Sequence, residues 1–259
     1  IEEAHAQGIR VTGHICSVSF MEAVAMGIDN IEHGLFTNSD YSPNKEADRC
    51  PNTLIADAGA IDPAGPEAQR TFRAMIEAGV PMTSTLAVYE LSVPNRPVRD
   101  PRMLEAMAPE VRADYLATRD RIDSTGESNI SLEMLKKGMA YERAFVDAGG
   151  LLGAGVDPTG NGGALPGYGD QRNFELLREA GFSTEETVQI MTLNGARILG
   201  VDADLGSIEV GKIADLVGIR GDLTADPATI EQTVTVFKDG IGFDSARLLE
   251  SVAGRVGIS

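Results

Sequence analysis

Apolar and polar residues along the first 200 positions follow two alternating rhythms. Residues 9–14, IRVTGH, read as a strand, with Ile9 and Val11 on one face and Thr12 and His14 on the other. The next run, SVSFMEAVAMG, sets Val18, Met21, Val24 and Ala25 at helical spacing and stops at Gly27. IDNIEHG predicts a second strand. Residues 35–65 are rich in Pro, Asn and Asp and predict irregular structure. A helix then opens at Pro66, carries Phe72, Met75 and Ile76 as its stripe, and ends at Gly79. VPMTSTL predicts a third strand.

A polar section, 87–128, follows. The prolines of SVPNRPVRDP forbid a regular element there, and a helix is expected around 103–122. A helix over 131–148 leads into GGLLGAGVD, the fourth strand, and PTGNGGALPGYGD reads as a loop. Two more helices follow, the second opening on Ser183 with Glu186 three residues on, a capping-box pairing. Four strand–helix repeats without a hairpin signal predict an α/β fold with a parallel sheet. After Gly200 the pattern changes. LGSIEVGKIADLVGI and TVTVFKDG are short β-rich runs split by Gly and Asp, so a small β module is expected over about 205–240. The expected division is 1–200 for the α/β part and 201–259 for the β module and tail.

Composition adds limits. The 259 residues are 42% hydrophobic, enough for a substantial core, and no apolar run approaches the ~20 residues that cross a bilayer. A net charge of −17 argues against nucleic acid or an anionic membrane as partner. Cys16 and Cys50 are too few for a disulfide framework or a zinc-finger set. A single bridge stays open, and with it the compartment, for which the cytoplasm is the default.

The chain has three histidines, and two of them close consecutive strand-like segments. In parallel α/β folds functional groups sit at the C-terminal ends of strands. His14, His33 and Asp157 hold such places on the first, second and fourth strands. Two imidazoles and a carboxylate are a divalent-metal ligand set in type, suited to Zn²⁺, and the carboxylate suits general-base work on a water. A lone strand histidine is more often a core or surface residue, and an Asp followed by Pro158 is commonly a turn residue. Three together at corresponding ends favour the site. His5, in the helical EEAHAQG upstream of the first strand, reads as structural. Cys16 reads as a small wall residue beside His14. Gly160, Gly162 and Gly163 fit a flexible loop over a site better than a phosphate loop.

The series VTGH, DNIEHG, LLGAGVD, TLNGARILG and LGSIEVGKIADLVGI resembles, in order and spacing, the C-terminal half of the amidohydrolase superfamily. It is most similar to the imidazolonepropionase-like and Xaa-Pro or Xaa-Arg dipeptidase-like branch of metal-dependent hydrolases. The resemblance covers nearly the whole chain apart from about 35–65 and 87–128. It implies the second half of a (β/α)8 barrel, with His14, His33 and Asp157 after strands five, six and eight, plus part of a small composite β-sandwich. It further implies a metal held by the two histidines, with Asp157 binding metal and acting as general base. Family members also carry a His-x-His pair after strand one, and many carry a carboxylated Lys after strand four; no His-x-His occurs here. The chain therefore reads as a fragment, and an opened barrel would leave two unpaired strand edges and an apolar interior exposed.

The expected activity of the intact protein is hydrolysis of an amide bond in a dipeptide or cyclic amide, using one or two divalent ions, most simply Zn²⁺. Tyr89 and Arg96, in the insert after the third strand, are candidates for substrate contact, since Arg suits a carboxylate. Two other readings stand beside this one. The chain would be a non-catalytic module that pairs with a missing N-terminal half or a second copy of itself, or a parallel α/β protein whose histidines are structural.

Overall fold

The computed structural model describes residues 1–96, 98–159 and 162–257. Two compact units emerge, one formed by residues 1–86 and 132–155, the other by 87–131 and 156–259.

The first unit is built on four short strands, β1 (Thr12–Gly13), β2 (Asn30–Glu32), β3 (Met82–Ser84) and β4 (Leu152–Ala154). They pair in parallel in chain order. Register sets Gly13, Ile31, Met82 and Leu152 in one row across the sheet. Ile31, Met82 and Leu152 are fully buried, so this row faces the core. Each strand is shorter than its apolar run suggests, because the ladder closes only where neighbouring chains run side by side. Ile9 and Val11 lie before β1, outside the ladder.

The helix Phe20–Ala25 starts at an N-cap Ser19, whose hydroxyl accepts from the Glu22 amide while the Glu22 carboxylate accepts from the Ser19 amide. That start fixes which face turns inward. Phe20 and Ala23 are the buried residues, and the expected stripe of Val18, Met21, Val24 and Ala25 is corrected accordingly. The helix Pro66–Glu77 buries Phe72 and Met75 as expected, together with Ala68 and Thr71. The Phe72 ring meets the rings of Tyr141 and Phe145, on the helix Leu132–Asp147, with centroids 4.7 Å and 5.4 Å away. The expected irregular stretch 35–65 holds 3-10 turns at Gly34–Thr37 and Ser39–Tyr41 and a helix at Leu54–Ala60. Cys16 and Cys50 form a disulfide that ties this stretch to the loop after β1.

In the second unit the single helix expected around 103–122 is two, Pro101–Ala106 and Pro109–Thr125. The break follows from Pro109, which drives Ala108 to ψ 146 and out of the helical region. Arg119, fully buried, ties this second helix to the chain before it by donating to the carbonyls of Leu91 and Val93, and pairs within the helix with Asp123 four residues on. The helices Tyr168–Glu179 and Thr184–Gln189 follow, the latter with the Ser183–Glu186 capping box formed as read from the sequence. The β module is an antiparallel sheet of β5 (Leu216–Ile219), β6 (Thr233–Lys238) and β7 (Ile241–Asp244), in that order. Asp239 and Gly240, both at positive φ, form the two-residue turn between β6 and β7. A helix not read from the sequence, Ser245–Val252, follows under an Asp244 cap.

Candidate metal centre

His14 follows β1 directly and His33 follows β2 directly. Their rings meet edge to face, with centroids 4.6 Å apart and planes at 66°. The sheet brings these two residues together although 18 positions separate them, because β1 and β2 pair with Thr12 opposite Asn30. His33 is 4% exposed, whereas His14 faces solvent.

His33 is held from several directions. Its backbone sits in the left-handed region at φ 72, and Gly34 follows at φ 57. Among the described residues with positive φ it is the one that is neither Gly, Asp nor Asn, and strained backbone of this kind clusters at functional sites. Its amide donates to the carbonyl of Thr83 at 3.0 Å. Its Nδ1 shares a 2.7 Å hydrogen bond with Oγ1 of Thr85, which is 3% exposed. Beside the turn lies Glu142, a fully buried carboxyl. Burial pushes it up to about 8, against the opposing pull of the Ser84 hydroxyl, and its Oε2 has no hydrogen-bond partner among the described residues. Gly34 is suited to its φ of 57, which residues with a side chain rarely adopt; a Cβ there would meet Met82 and Glu142 only at ordinary contact distances of 3.4 Å and 3.6 Å.

The sheet face away from Ile31 and Met82 is polar. The Asn30 amide nitrogen lies 3.0 Å from Thr12 Oγ1, 2.7 Å from Glu32 Oε1 and 2.8 Å from Thr83 Oγ1, and Thr12 also donates to Glu32. This corrects the expectation of an apolar interior. Side chains of β1 to β3 on this face bond across the strands and hold the two histidine-bearing ends in register.

On one tetrahedral ion, Zn–N bonds of about 2.0–2.1 Å would set two imidazole nitrogens roughly 3.4 Å apart; the two rings here are close neighbours, with centroids 4.6 Å apart. Nδ1 of His33 is bonded to Thr85, so any ligation by that ring would go through Nε2. Among the described residues no group of three or more His, Cys, Asp or Glu side chains comes together to hold a metal.

Asp157 lies in the second unit, three residues beyond β4, at φ 45. Its carbonyl accepts from the Thr159 amide at 2.6 Å. Arg96 is not a spare cation. It donates to Glu90 and to Glu179, both at 2.6 Å, so a substrate carboxylate would have to displace one of them. Tyr89 is half-buried on the helix Leu86–Glu90. His5 is structural as read, sharing a 2.7 Å bond with Asp29, which also accepts from the Val11 amide. The disulfide with Cys50 takes the Cys16 sulfur out of any ligand set. Gly163 is packed against Tyr115 and Leu91 with no room for a Cβ, which corrects its place in a flexible loop. Gly160 lies outside the described residues. Thr85, Glu142 and the Asn30 cluster were not singled out in the sequence.

The chain matches the amidohydrolase family over residues 1–241 and belongs to that family. Over 88 residues it is 34% identical to imidazolonepropionase from Clostridium tetani, covering 32% of this chain and 20% of that one. Over 98 residues it is 33% identical to 5-methylthioadenosine/S-adenosylhomocysteine deaminase from Moorella thermoacetica, covering 35% and 22%. Among solved structures, bottromycin amidohydrolase superposes with a TM-score of 0.64 at 19% identity, over 97% of this chain and 53% of that one. A Xaa-Pro dipeptidase with methionine bound in its active site gives 0.57 at 20% identity, over 94% and 47%. The fold is thus of the TIM-barrel α/β type with a parallel sheet, and the chain spans about half the length of these solved relatives.

Proposed function

We propose that this chain supplies strands five to eight of a (β/α)8 barrel, with part of a composite β-sandwich after about residue 200. In this reading it belongs to a metal-dependent hydrolase of C–N bonds whose substrate is a dipeptide or cyclic amide. The observation that carries this is the pair of imidazoles at consecutive strand ends, 4.6 Å apart, in a chain of the amidohydrolase family. His14 and His33 would hold a divalent ion, with Zn²⁺ the simplest choice for two imidazoles. When bound, such an ion polarises the scissile carbonyl and lowers the pKa of a coordinated water. The chain's own part is to hold the two rings in fixed relation and to supply a proton carrier. Asp157 is assigned that role. Its carboxylate takes the proton of the attacking water and passes it to the leaving nitrogen, so that a C–O bond forms as the C–N bond breaks. Its place after β4 and its strained backbone support the assignment.

The remaining ligands would come from an N-terminal half or another polypeptide, so the 259-residue chain alone has little or no hydrolase activity even with added Zn²⁺. Turnover of dipeptides by the pure chain at ordinary enzyme rates, ~1–10³ per second, would contradict this. In a protein that carries the complementing half, Asp157→Asn keeps the fold and abolishes turnover, since the amide does not accept the proton. Unchanged turnover in that variant removes Asp157 from the mechanism.

A further inference from the structure

We infer that Thr85 is a positioning residue, one that holds His33 with its proton on Nδ1 and its Nε2 lone pair presented for a metal. The inference deepens the proposed function and rests on its reading of His33 as a ligand.

The argument starts from what grips His33. β3 and the residue just after it hold it twice, through the Thr83 carbonyl on its backbone amide and through the Thr85 hydroxyl on its ring. The ring bond is short at 2.7 Å and both partners are at least 95% buried, at 4% and 3% exposure. Water therefore offers little competition for it, and breaking it strands a polar group in the core. A neutral imidazole has one protonated nitrogen, and the bond made by one nitrogen decides the state of the other. The Thr85 hydroxyl could give or take this bond; in the inferred arrangement Nδ1 donates it, and the unprotonated atom is then Nε2, as ligation requires.

The effect reaches His14 as well. His14 is exposed, and its ring rests edge-on against His33. A turn of the His33 ring removes the surface on which His14 is seated. One hydroxyl just past the end of β3 thus sets the aim of both imidazoles. The left-handed backbone at His33 is consistent with this, since a residue held in a costly conformation needs such ties on both sides.

The test is long-range ¹H–¹⁵N correlation of the imidazoles in the full 259-residue chain at pH 8, with His5→Gln and His14→Gln variants to assign the three rings. The expected wild-type pattern for His33 is a single tautomer protonated at Nδ1. Thr85→Val keeps the shape of the side chain and removes the acceptor. It should give a mixed or reversed tautomer and weaken Zn²⁺ binding at least tenfold, in the range typical of lost outer contacts to a ligand. Thr85→Ser should restore both. Wild-type His33 protonated at Nε2 overturns the inference without any variant, as does an unchanged tautomer in Thr85→Val. Suppose instead that the Nδ1 tautomer is found and Zn²⁺ shifts no His33 signal. That result overturns the ligand reading itself, and the positioning role falls with it, leaving only a structural hydrogen bond.

Discussion

Glu142 carries the sharpest residue-level consequence outside the histidine pair. Its carboxyl is fully buried and burial pushes it up to about 8, so the folded chain keeps it protonated at neutral pH. In the unfolded chain the same group ionises near its ordinary 4.5. The folded state therefore binds the extra proton between these two values. Its contribution to stability is fully present below about pH 4.5, falls through the interval, and is lost above about pH 8. The slope approaches about 1.4 kcal/mol per pH unit. Urea unfolding of wild type and Glu142→Gln across pH 5–8 checks this: the difference should grow in favour of the variant as pH rises. Parallel curves would mean that Glu142 ionises normally in the fold. Neither Glu142 nor Thr85 was legible in the sequence, for different reasons. A helical Glu reads as a solvated residue, and Thr in TSTL reads as ordinary strand propensity. His14 and His33 were legible because histidine is rare in this chain and both close apolar runs.

At the scale of elements, the order of strands and helices was readable from periodicity, while their edges were not. β1 is two residues where six were expected, since the ladder depends on where β2 lies and not on the apolar run alone. The break between Pro101–Ala106 and Pro109–Thr125 had a local signal in Pro109, and the Ser183 cap was read correctly for the same local reason. The Phe20–Ala25 face was misread because Ser19 caps the helix, which leaves Val18 outside it and turns Phe20 and Ala23 inward. Two element-level tests follow. Gly138 lies on the helix Leu132–Asp147 under the Phe36 ring, where a Cβ would fall 2.5 Å from the ring edge. Gly138→Ala should destabilise the chain by about 1–3 kcal/mol through overpacking, despite the better helix propensity of Ala. A stabilised variant in thermal unfolding would show that the turn after His33 does not press on this helix. The Cys16–Cys50 bridge spans 34 positions, and in the chain-entropy account a loop of that size contributes roughly 3–4 kcal/mol. Reduction should lower the unfolding midpoint accordingly. An unchanged midpoint under reducing conditions would mean that the bridge contributes nothing to the fold.

For the whole molecule, family membership rests on the match over residues 1–241, and the proposed chemistry rests on two histidines that the sheet sets side by side. The β module carries apolar residues that face solvent, among them Val217 at 59% and Ile241 at 64% exposure. Among the described residues the four-stranded sheet ends on β1 and β4 with no further strand paired, and such edges and exposed apolar residues are surfaces to which another chain can add. The purified chain is accordingly expected to bind a hydrophobic dye or to self-associate in light scattering, and a dye-silent monomer would count against the half-barrel reading. The central claim is more direct: His14 and His33 together hold a divalent ion. Calorimetric titration of the 259-residue chain with Zn²⁺, beside His14→Ala and His33→Ala, tests it. The account predicts one zinc-dependent site in wild type, weakened at least tenfold by either substitution, with no further loss of binding from His5→Ala. Binding that survives in both His14→Ala and His33→Ala, or no zinc binding by the folded wild-type chain, would contradict it.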